Sequence, residues 1–350
     1  MPNSKTLVAM SGGVDSSVAA WLASKEGPCA GATMQLCDQA LLGCVPGNQA
    51  DDARRVADKL GIPFYLLDAV KTFKDQVVQN FIDTYEQGHT PNPCIHCNRT
   101  IKFGWLLEKA LEMGYDTLVT GHYARIEQDM STGRYLLKKA ADREKDQSYF
   151  LSVLDQRQLS HIRFPLGTLT KPQVRSIAEE QGFITARKRD SQDICFIPDG
   201  DYKAFMERYK GTQYPPGSYL DLNGRVLGSH AGAVGYTIGQ RKGLGIALGE
   251  PAYVICKDMQ ANTVTLGSNE ELFRRELAAD SWNWIAVDTP TEPMRVLARV
   301  RYRHKEQPAT VYPDGRVIFD DPQRAITTGQ TVVLYDEDTV LGSGRIIEVL

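Results

Sequence analysis

Residues Ser11-Gly-Gly-Val-Asp-Ser16 constrain this chain more than any other stretch. Residues 6–10 ahead of them form a short apolar run that reads as a buried strand, and residues 18–25 behind them read as a helix. A strand that turns through Ser-Gly-Gly into a helix aims several backbone N–H groups into one loop. The helix N-terminus adds partial positive charge, so such a loop cradles an anion. Gly12 and Gly13 allow close backbone approach and angles that other residues avoid. Ser11, Ser16 and Ser17 supply hydroxyls, and Asp15 is placed to orient Mg²⁺ or to brace the loop. The expected nucleotide contacts run from Ala9 and Met10 through Val14 to Ser16. Two familiar motifs are excluded: the loop has no Gly-Lys-Ser/Thr, and no G-x-G-x-x-G.

The loop resembles the PP-loop of the ATP pyrophosphatases, which split ATP into AMP and pyrophosphate; ATP and Mg²⁺ are the cofactors this implies. The next hundred residues support a sheet that would carry it. Strands are expected at 29–35, 64–68 and 117–120, and helices at 51–60, 73–87 and 101–113. Strands separated by helices imply an α/β doubly wound parallel sheet, which binds ligands beyond the carboxyl ends of its strands. The loop, Met34 and Gly121-His122 all fall at such ends. Met34 can pack on an adenine or serve as ordinary core, and Gly121 would let a nucleotide lie close.

At 350 residues the chain exceeds one typical core. From about Pro198 the texture changes to short apolar–polar runs broken by turn clusters, with Pro313-Asp314-Gly315 as a hairpin turn. The expected division is a PP-loop domain at 1–198, a small central β domain at 199–268 and a β-barrel at 269–350. No apolar run approaches membrane-spanning length, and the N-terminus lacks a signal-peptide core, so a cytoplasmic protein with no membrane or DNA partner is expected. A net charge of −3 gives no global attraction to nucleic acid, so RNA contact must come from local patches. One is the alternating Arg299-Val-Arg-Tyr-Arg303; in a strand it puts Arg299, Arg301 and Arg303 on one face, with Tyr302 opposite. Another is Lys145-Asp146-Gln147, following Arg134, Lys138, Lys139 and Arg143. A solvated face is the competing reading of such stripes.

The seven cysteines of a reducing compartment point to catalysis or metal rather than to structural disulfides. The stretch His89-Thr-Pro-Asn-Pro-Cys-Ile-His-Cys-Asn98 joins two expected helices, with Asn98 or Thr100 as the cap. Cys97 would then sit just before a helix N-terminus, where the dipole favours an accessible thiolate suited to nucleophilic or sulfur-carrier chemistry. Taken locally, Cys195 between Ile194 and Phe196 reads as buried apolar filler. Cys37 and Cys44, in the loop after the second strand, fit no metal spacing and read as ordinary thiols.

In one order stand Ser-Gly-Gly-Val-Asp-Ser, Thr-Pro-Asn-Pro-x-x-x-Cys-Asn-x-x-Ile-Lys-Phe, Thr-Gly-His-Tyr-Ala, Lys-Asp-Gln-Ser-Tyr-Phe-Leu, Ser-Gln-Asp-Ile-Cys-Phe-Ile and Gly-Tyr-Thr-Ile-Gly-Gln-Arg-Lys-Gly. Over essentially the whole chain this resembles the tRNA-specific 2-thiouridylase family. The resemblance implies adenylation of O2 of a wobble uridine, then delivery of sulfur to C2 from a Cys97 persulfide, with Cys195 resolving it. It implies tRNA anticodon contacts at Asn92, Pro93, Cys94, His122, Lys145, Asp146, Gln147, Arg301, Tyr302 and Gln330. A sulfur-relay protein or a cysteine desulfurase would supply the sulfur. Many members carry aspartate where this chain has Cys94, so its acid–base role is in doubt here. Cys94, Cys97 and Cys195 could instead hold a [4Fe–4S] cluster, or with His96 a zinc ion. Two rivals remain: a PP-loop enzyme acting on a small metabolite, and a metal-binding RNA-binding protein without catalysis.

Overall fold

The computed structural model describes residues 5–37, 49–188 and 194–350, so Cys44 lies outside the described residues. In chain order the first strands are β1 (Thr6–Ala9), β2 (Cys29–Gln35), β3 (Phe64–Asp68), β4 (Thr117–Val119), a hairpin β5 (Ala124–Gln128) and β6 (Tyr135–Lys139), and β7 (Ile162–Arg163). β3-β2-β1-β4-β7 form a five-stranded parallel sheet. The order reverses between β1 and β4, which puts the switch-point crevice at the loop after β1. The doubly wound expectation holds.

Helix α1 (Val14–Glu26) starts four residues before the expected position. The reason is local: the Ser16 and Ser17 hydroxyls fold back onto the Gly13 carbonyl at 3.1 and 2.8 Å, so they support the first turn instead of competing with it. α2 (Gln49–Leu60) buries Ala53, Val56 and Ala57 against the sheet. α3 runs through Val70–Phe73, a π segment Lys74–Val78, and Gln79–Glu86. α4 runs through Pro93–Cys97, a π segment Asn98–Trp105, and Leu106–Glu112.

The start of α4 corrects the expected loop. Asn92 is the cap, its Oδ1 accepting from Ile95 N–H at 3.2 Å, and Pro93 takes the first helical position, where a missing N–H costs nothing. Asn98 and Thr100 lie inside the helix. Asn98 Nδ2 donates to the Phe150 carbonyl at 3.0 Å, and the Thr100 hydroxyl donates to the His96 carbonyl at 2.9 Å.

Four strands follow, β8 (Gly217–Leu220), β9 (Val226–His230), β10 (Tyr253–Asp258) and β11 (Thr263–Gly267), in the order β10-β11-β8-β9. The last six are β12 (Phe273–Trp284), β13 (Met294–Arg299), β14 (Gln307–Val311), β15 (Arg316–Arg324), β16 (Thr331–Asp336) and β17 (Thr339–Val349). Pairing of β12 with β17 closes them into a barrel around Leu277, Val296, Val311, Phe319, Leu334 and Ile346. Asp314 and Gly315 make the β14–β15 turn, with Gly315 at φ +89°.

The hairpin β5–β6 was not legible as part of this sheet; it joins β17 through Lys138 and Thr339. One apolar core runs from Phe103 and Leu107 of α4 to Val333, Tyr335 and Val340 of the barrel. Tyr149 donates to the Thr331 carbonyl at 2.8 Å across the junction. Among the described residues no helix is long and apolar enough to cross a membrane.

Candidate active site

The loop after β1 is held by its own hydroxyls and by two distant lysines. Ser11 N–H donates to Ser16 Oγ at 3.1 Å. Lys171 Nζ meets both Asp15 carboxylate oxygens at 2.8 Å, and the Tyr123 hydroxyl donates to Asp15 Oδ1 at 2.8 Å. Asp15 therefore braces the loop. Lys188 Nζ donates to the Gly12 carbonyl at 2.9 Å and pairs with Asp52 at 2.5 Å. Neither lysine was singled out from sequence, because each arrives from more than 150 positions away. They put two ammonium groups at a loop whose first helical N–H groups have no intrahelical acceptor, a combination that fits a polyphosphate.

Gly12, at φ +69°, leaves no room for a side chain: a Cβ there would lie 2.2 Å from the Gln49 carbonyl oxygen. At Gly121 a Cβ would stand 2.8 Å from the backbone of Asp15 and Ser16. The close approach at Gly121 is thus to the loop itself. Met10 is buried, its N–H on the Ala32 carbonyl and its carbonyl accepting from the Thr33 hydroxyl at 2.6 Å. Ala9 ends β1 and Val14 opens α1, both packed in the cores on either side of the sheet.

From Gly121 the path to the cysteines is short. His122 is held by Thr120 Oγ1 at Nδ1 (2.7 Å) and by Lys102 Nζ at Nε2 (3.4 Å), with Phe103 and Phe164 rings 5.6 and 5.8 Å away. Burial first, and Lys102 second, push its pKa well below the usual histidine value, so it is neutral and accepts a hydrogen bond from Lys102 Nζ. Lys102 in turn pulls the pKa of both Cys94 and Cys97 downward. Lys102 lies five positions after Cys97, a spacing that α-helical periodicity sends to another face. The π segment, with its i→i+5 bonding, brings them together. Gly104 makes room for this wide turn, since a Cβ there would sit 2.9 Å from the Arg99 carbonyl oxygen.

Cys97 departs from expectation. It is 8 % exposed, it is the fifth residue of α4, and burial raises its pKa above the ordinary thiol value. It is not an accessible low-pKa thiolate; the helix start at Pro93 moved it off the N-terminus. Cys94 is exposed, though the walls around it still thin its hydration and raise its pKa. Cys195 is exposed as well, so it is not apolar filler. Its neighbours Ile194 and Phe196 pack in the cluster that holds Cys97, with Met34 and Cys37 against the same cluster. Among the described residues no three His, Cys, Asp or Glu side chains converge as a metal site.

The basic stripe is not a strand face. β13 ends at Arg299 and the chain turns, so the alternation is lost. Arg299 lies over the Tyr149 and Tyr302 rings at 5.6 and 5.3 Å. Arg301 bonds inward to the Ile238 carbonyl and Thr327, while Tyr302 packs on Phe150 at 4.3 Å. Arg303 and Lys305 are exposed.

The second patch is largely neutralised. Arg134 pairs with Asp288, Lys138 with Glu127, Lys139 with Glu306 and Arg143 with Asp338. Asp146 is buried, accepting from Ala140 and Ser148, and Gln147 Oε1 accepts from Tyr123 N–H at 2.9 Å; Lys145 is half-buried. Gln330 donates to the Thr90 and Pro91 carbonyls at 3.0 Å and so fixes the approach to Asn92 and Pro93. On that side of α4 a cavity of about 460 Å³ opens toward the barrel, with Asn92, His96, Arg99 and Arg345 in its lining and no carboxylate among its described residues.

A family profile described as tRNA methyl transferase HUP domain matches residues 4–199. Profiles described as tRNA methyl transferase PRC-barrel domain and aminomethyltransferase beta-barrel domain match 203–268 and 274–346. The tRNA-specific 2-thiouridylase MnmA of Acetivibrio thermocellus is 50% identical over 358 residues, covering 99% of this chain and 100% of its own. That of Clostridioides difficile is 48% identical, with 98% of each chain covered. This chain belongs to the tRNA-specific 2-thiouridylase family. Among solved structures, the U34-tRNA thiolase NcsA from Methanococcus maripaludis with its [4Fe-4S] cluster is 18% identical, covers 60% of this chain and 70% of that one, and has a TM-score of 0.36. That likeness is too distant to carry weight beside the thiouridylases, which match end to end.

Proposed function

We propose that this chain is an ATP-dependent tRNA-uridine 2-sulfurtransferase acting on the wobble uridine of the anticodon. One observation carries this reading: the contact path from Asp15 through Gly121 and His122 to Lys102 and the two cysteines of α4. A nucleotide loop and a thiol pair that share one crevice suit a reaction in which an activated oxygen is exchanged for sulfur.

Residues Ala9–Ser16 receive the phosphates of ATP, with Lys171 and Lys188 opposing their charge and Met34 and Gly121 bordering the nucleotide. When bound with ATP, Mg²⁺ would offset the phosphate charge; Asp15 is already balanced by Lys171. O2 of the uridine attacks the α-phosphorus and pyrophosphate leaves, which turns O2 into a leaving group. Sulfur from a persulfide on Cys97 then bonds to C2, and AMP departs with the oxygen. Neutral His122 and Lys102 keep this step supplied with a hydrogen-bond donor without a buried carboxylate.

In the [4Fe–4S] alternative Cys94, Cys97 and Cys195 would be the ligands; the persulfide route is preferred because among the described residues no three such side chains are drawn together. The proposed division of labour is adenylation in 1–198, a bracing role for 199–268 and tRNA holding by 269–350. Asn92, Pro93, Cys94 and His122 face the target base. Lys145, Asp146 and Gln147 shape the wall beside it, Arg301, Tyr302 and Gln330 order the surface under the RNA, and exposed Arg303 and Lys305 supply phosphate contacts. A cysteine desulfurase or sulfur-relay protein is the sulfur source, and the reaction is cytoplasmic.

The test is incubation with tRNA, ATP and a persulfide donor, followed by nucleoside mass spectrometry. A sulfur-for-oxygen exchange in uridine is expected. A methyl gain, or pyrophosphate release indifferent to tRNA, would reject the reading.

A further inference from the structure

We propose that Asn98 reads the target base, its Oδ1 accepting the N3–H of the wobble uracil, so that it is a specificity-determining residue; this rests on the sulfurtransferase reading above. Asn98 is 2 % exposed, and the fold treats its two amide atoms differently. The Phe150 carbonyl, 3.0 Å away, can only accept, so the amide must present Nδ2 to it. Oδ1 is thereby turned the other way. It is buried, and among the described residues no donor reaches it. Buried acceptors are nearly always satisfied, and one that the protein leaves open is met by a ligand or an ordered water.

The surroundings favour a ligand. Asn98 follows Cys97 directly, and its N–H bonds to the Cys94 carbonyl, so its side chain stacks behind Cys94 on one helix face. Asn92, Pro93 and Cys94 are the segment proposed to face the base. From the other side Asn98 is held by Phe150, just beyond Gln147, and the Phe150 ring packs on Tyr302 at 4.3 Å. The open acceptor is thus bounded by the cysteine turn on one side and by the proposed RNA wall on the other.

Uracil supplies what Oδ1 lacks. Its one ring N–H donor is N3–H, set between two carbonyls. C2, the carbon that receives sulfur, is bonded to N3. An acceptor one residue from Cys97 that holds N3 therefore sets C2 beside the sulfur. Cytosine has a bare lone pair at N3, and two facing acceptors repel. A buried polar group built to bond its substrate rejects an analogue without the partner, because the group is then left unpaired.

The full chain is given tRNA assembled by ligation with uridine, 3-deazauridine or cytidine at the wobble position, and affinities are measured without ATP. 3-Deazauridine keeps C2 and its oxygen but has C–H in place of N3–H. Wild type should bind the uridine tRNA at least about tenfold more tightly than either of the others. In Asn98→Leu, which keeps the shape of the amide, and in Asn98→Ala that preference should vanish, while the 3-deazauridine tRNA binds as it does to wild type. An amide with only a structural role would weaken all three tRNAs alike. Thermal unfolding reports whether the variants are folded; if neither is, the wild-type preference decides alone. Equal wild-type affinity for the uridine and 3-deazauridine tRNAs, as an ordered water on Oδ1 would give, overturns the inference. So does a preference that folded variants retain, including the case in which they lose ATP affinity instead, which would assign Oδ1 to the adenine. Pyrophosphate released by wild type with the uridine tRNA would leave the sulfurtransferase reading standing through any of these failures. Absence of both pyrophosphate and thiolated product with that tRNA would remove that reading and this inference with it.

Discussion

Lys171 sets the charge balance of the nucleotide loop. It is 7 % exposed and spends its ammonium on Asp15, whose carboxylate is partly open to solvent. Removing one partner of a buried pair costs about 3–5 kcal/mol, and the partial exposure of Asp15 lowers that to about 2–3 kcal/mol here. Lys171→Met is expected to destabilise the fold by that amount and to slow tRNA-dependent pyrophosphate release at least about tenfold. Denaturant unfolding and a pyrophosphate assay check the two effects; wild-type turnover would show that Lys171 has no part in nucleotide handling. The Ser-Gly-Gly-Val-Asp-Ser loop was legible from sequence, but this lysine was not, because nothing local marks a residue 156 positions from its partner.

Two titrations test the rest of the crevice. Since burial raises the Cys97 pKa, alkylation of Cys97 should still be climbing with pH above the ordinary thiol range. Lys102→Met should move that profile further upward, because Lys102 is the group that pulls it down. A Cys97 that is fully reactive at neutral pH would contradict the burial. His122 works in the opposite sense. Its folded pKa lies below the ordinary value of about 6.5, so the unfolded chain binds the extra proton first. Its contribution is fully present above that pH and is lost as the pH falls below it. His89, His96, His230 and His304 are held low as well, so the difference between wild type and His122→Gln isolates it. Stability against urea should fall between pH 7.5 and 5.5 less steeply in the variant; equal slopes would show that His122 is not held neutral.

At the level of elements, strands β2 and β3 stand where the apolar runs put them. Periodicity could not reveal the π segment of α4, because its apolar residues also satisfy an α-helical pattern. Gly104 was the available signal: a glycine inside a helix pattern has a packing reason. Gly104→Ala should cost about 1–3 kcal/mol through the clash with the Arg99 carbonyl. By narrowing the turn it should also draw Lys102 away from Cys97, so thiolation should fall more than stability alone explains. An alanine variant with wild-type thiolation would remove the π turn from the mechanism. The arginine stripe misled for a related reason. Alternation is evidence of a strand face only while the strand lasts; β13 stops at Arg299, and beyond it Arg301 bonds to the Ile238 carbonyl and the Thr327 hydroxyl.

For the whole molecule, the order of a parallel sheet followed by two β units was legible because period and turn chemistry change along the chain. How the units join was not. Hairpin β5–β6 carries cations whose partners, Asp338, Glu306 and Asp288, lie in the barrel, so its sequence reads as a solvated basic patch until those carboxylates are in place. The same junction carries Gln330 onto the Asn92 segment, which ties the barrel to the start of α4. The proposed reaction places adenylation and sulfur transfer on the same uridine, in sequence, in one crevice. The most direct measurement is the fate of tRNA with ATP and Cys97→Ser: pyrophosphate should be released once per tRNA, leaving the uridine adenylated and unthiolated. Thiolated tRNA from that variant, or ATP bound without pyrophosphate release when tRNA is added, would contradict it.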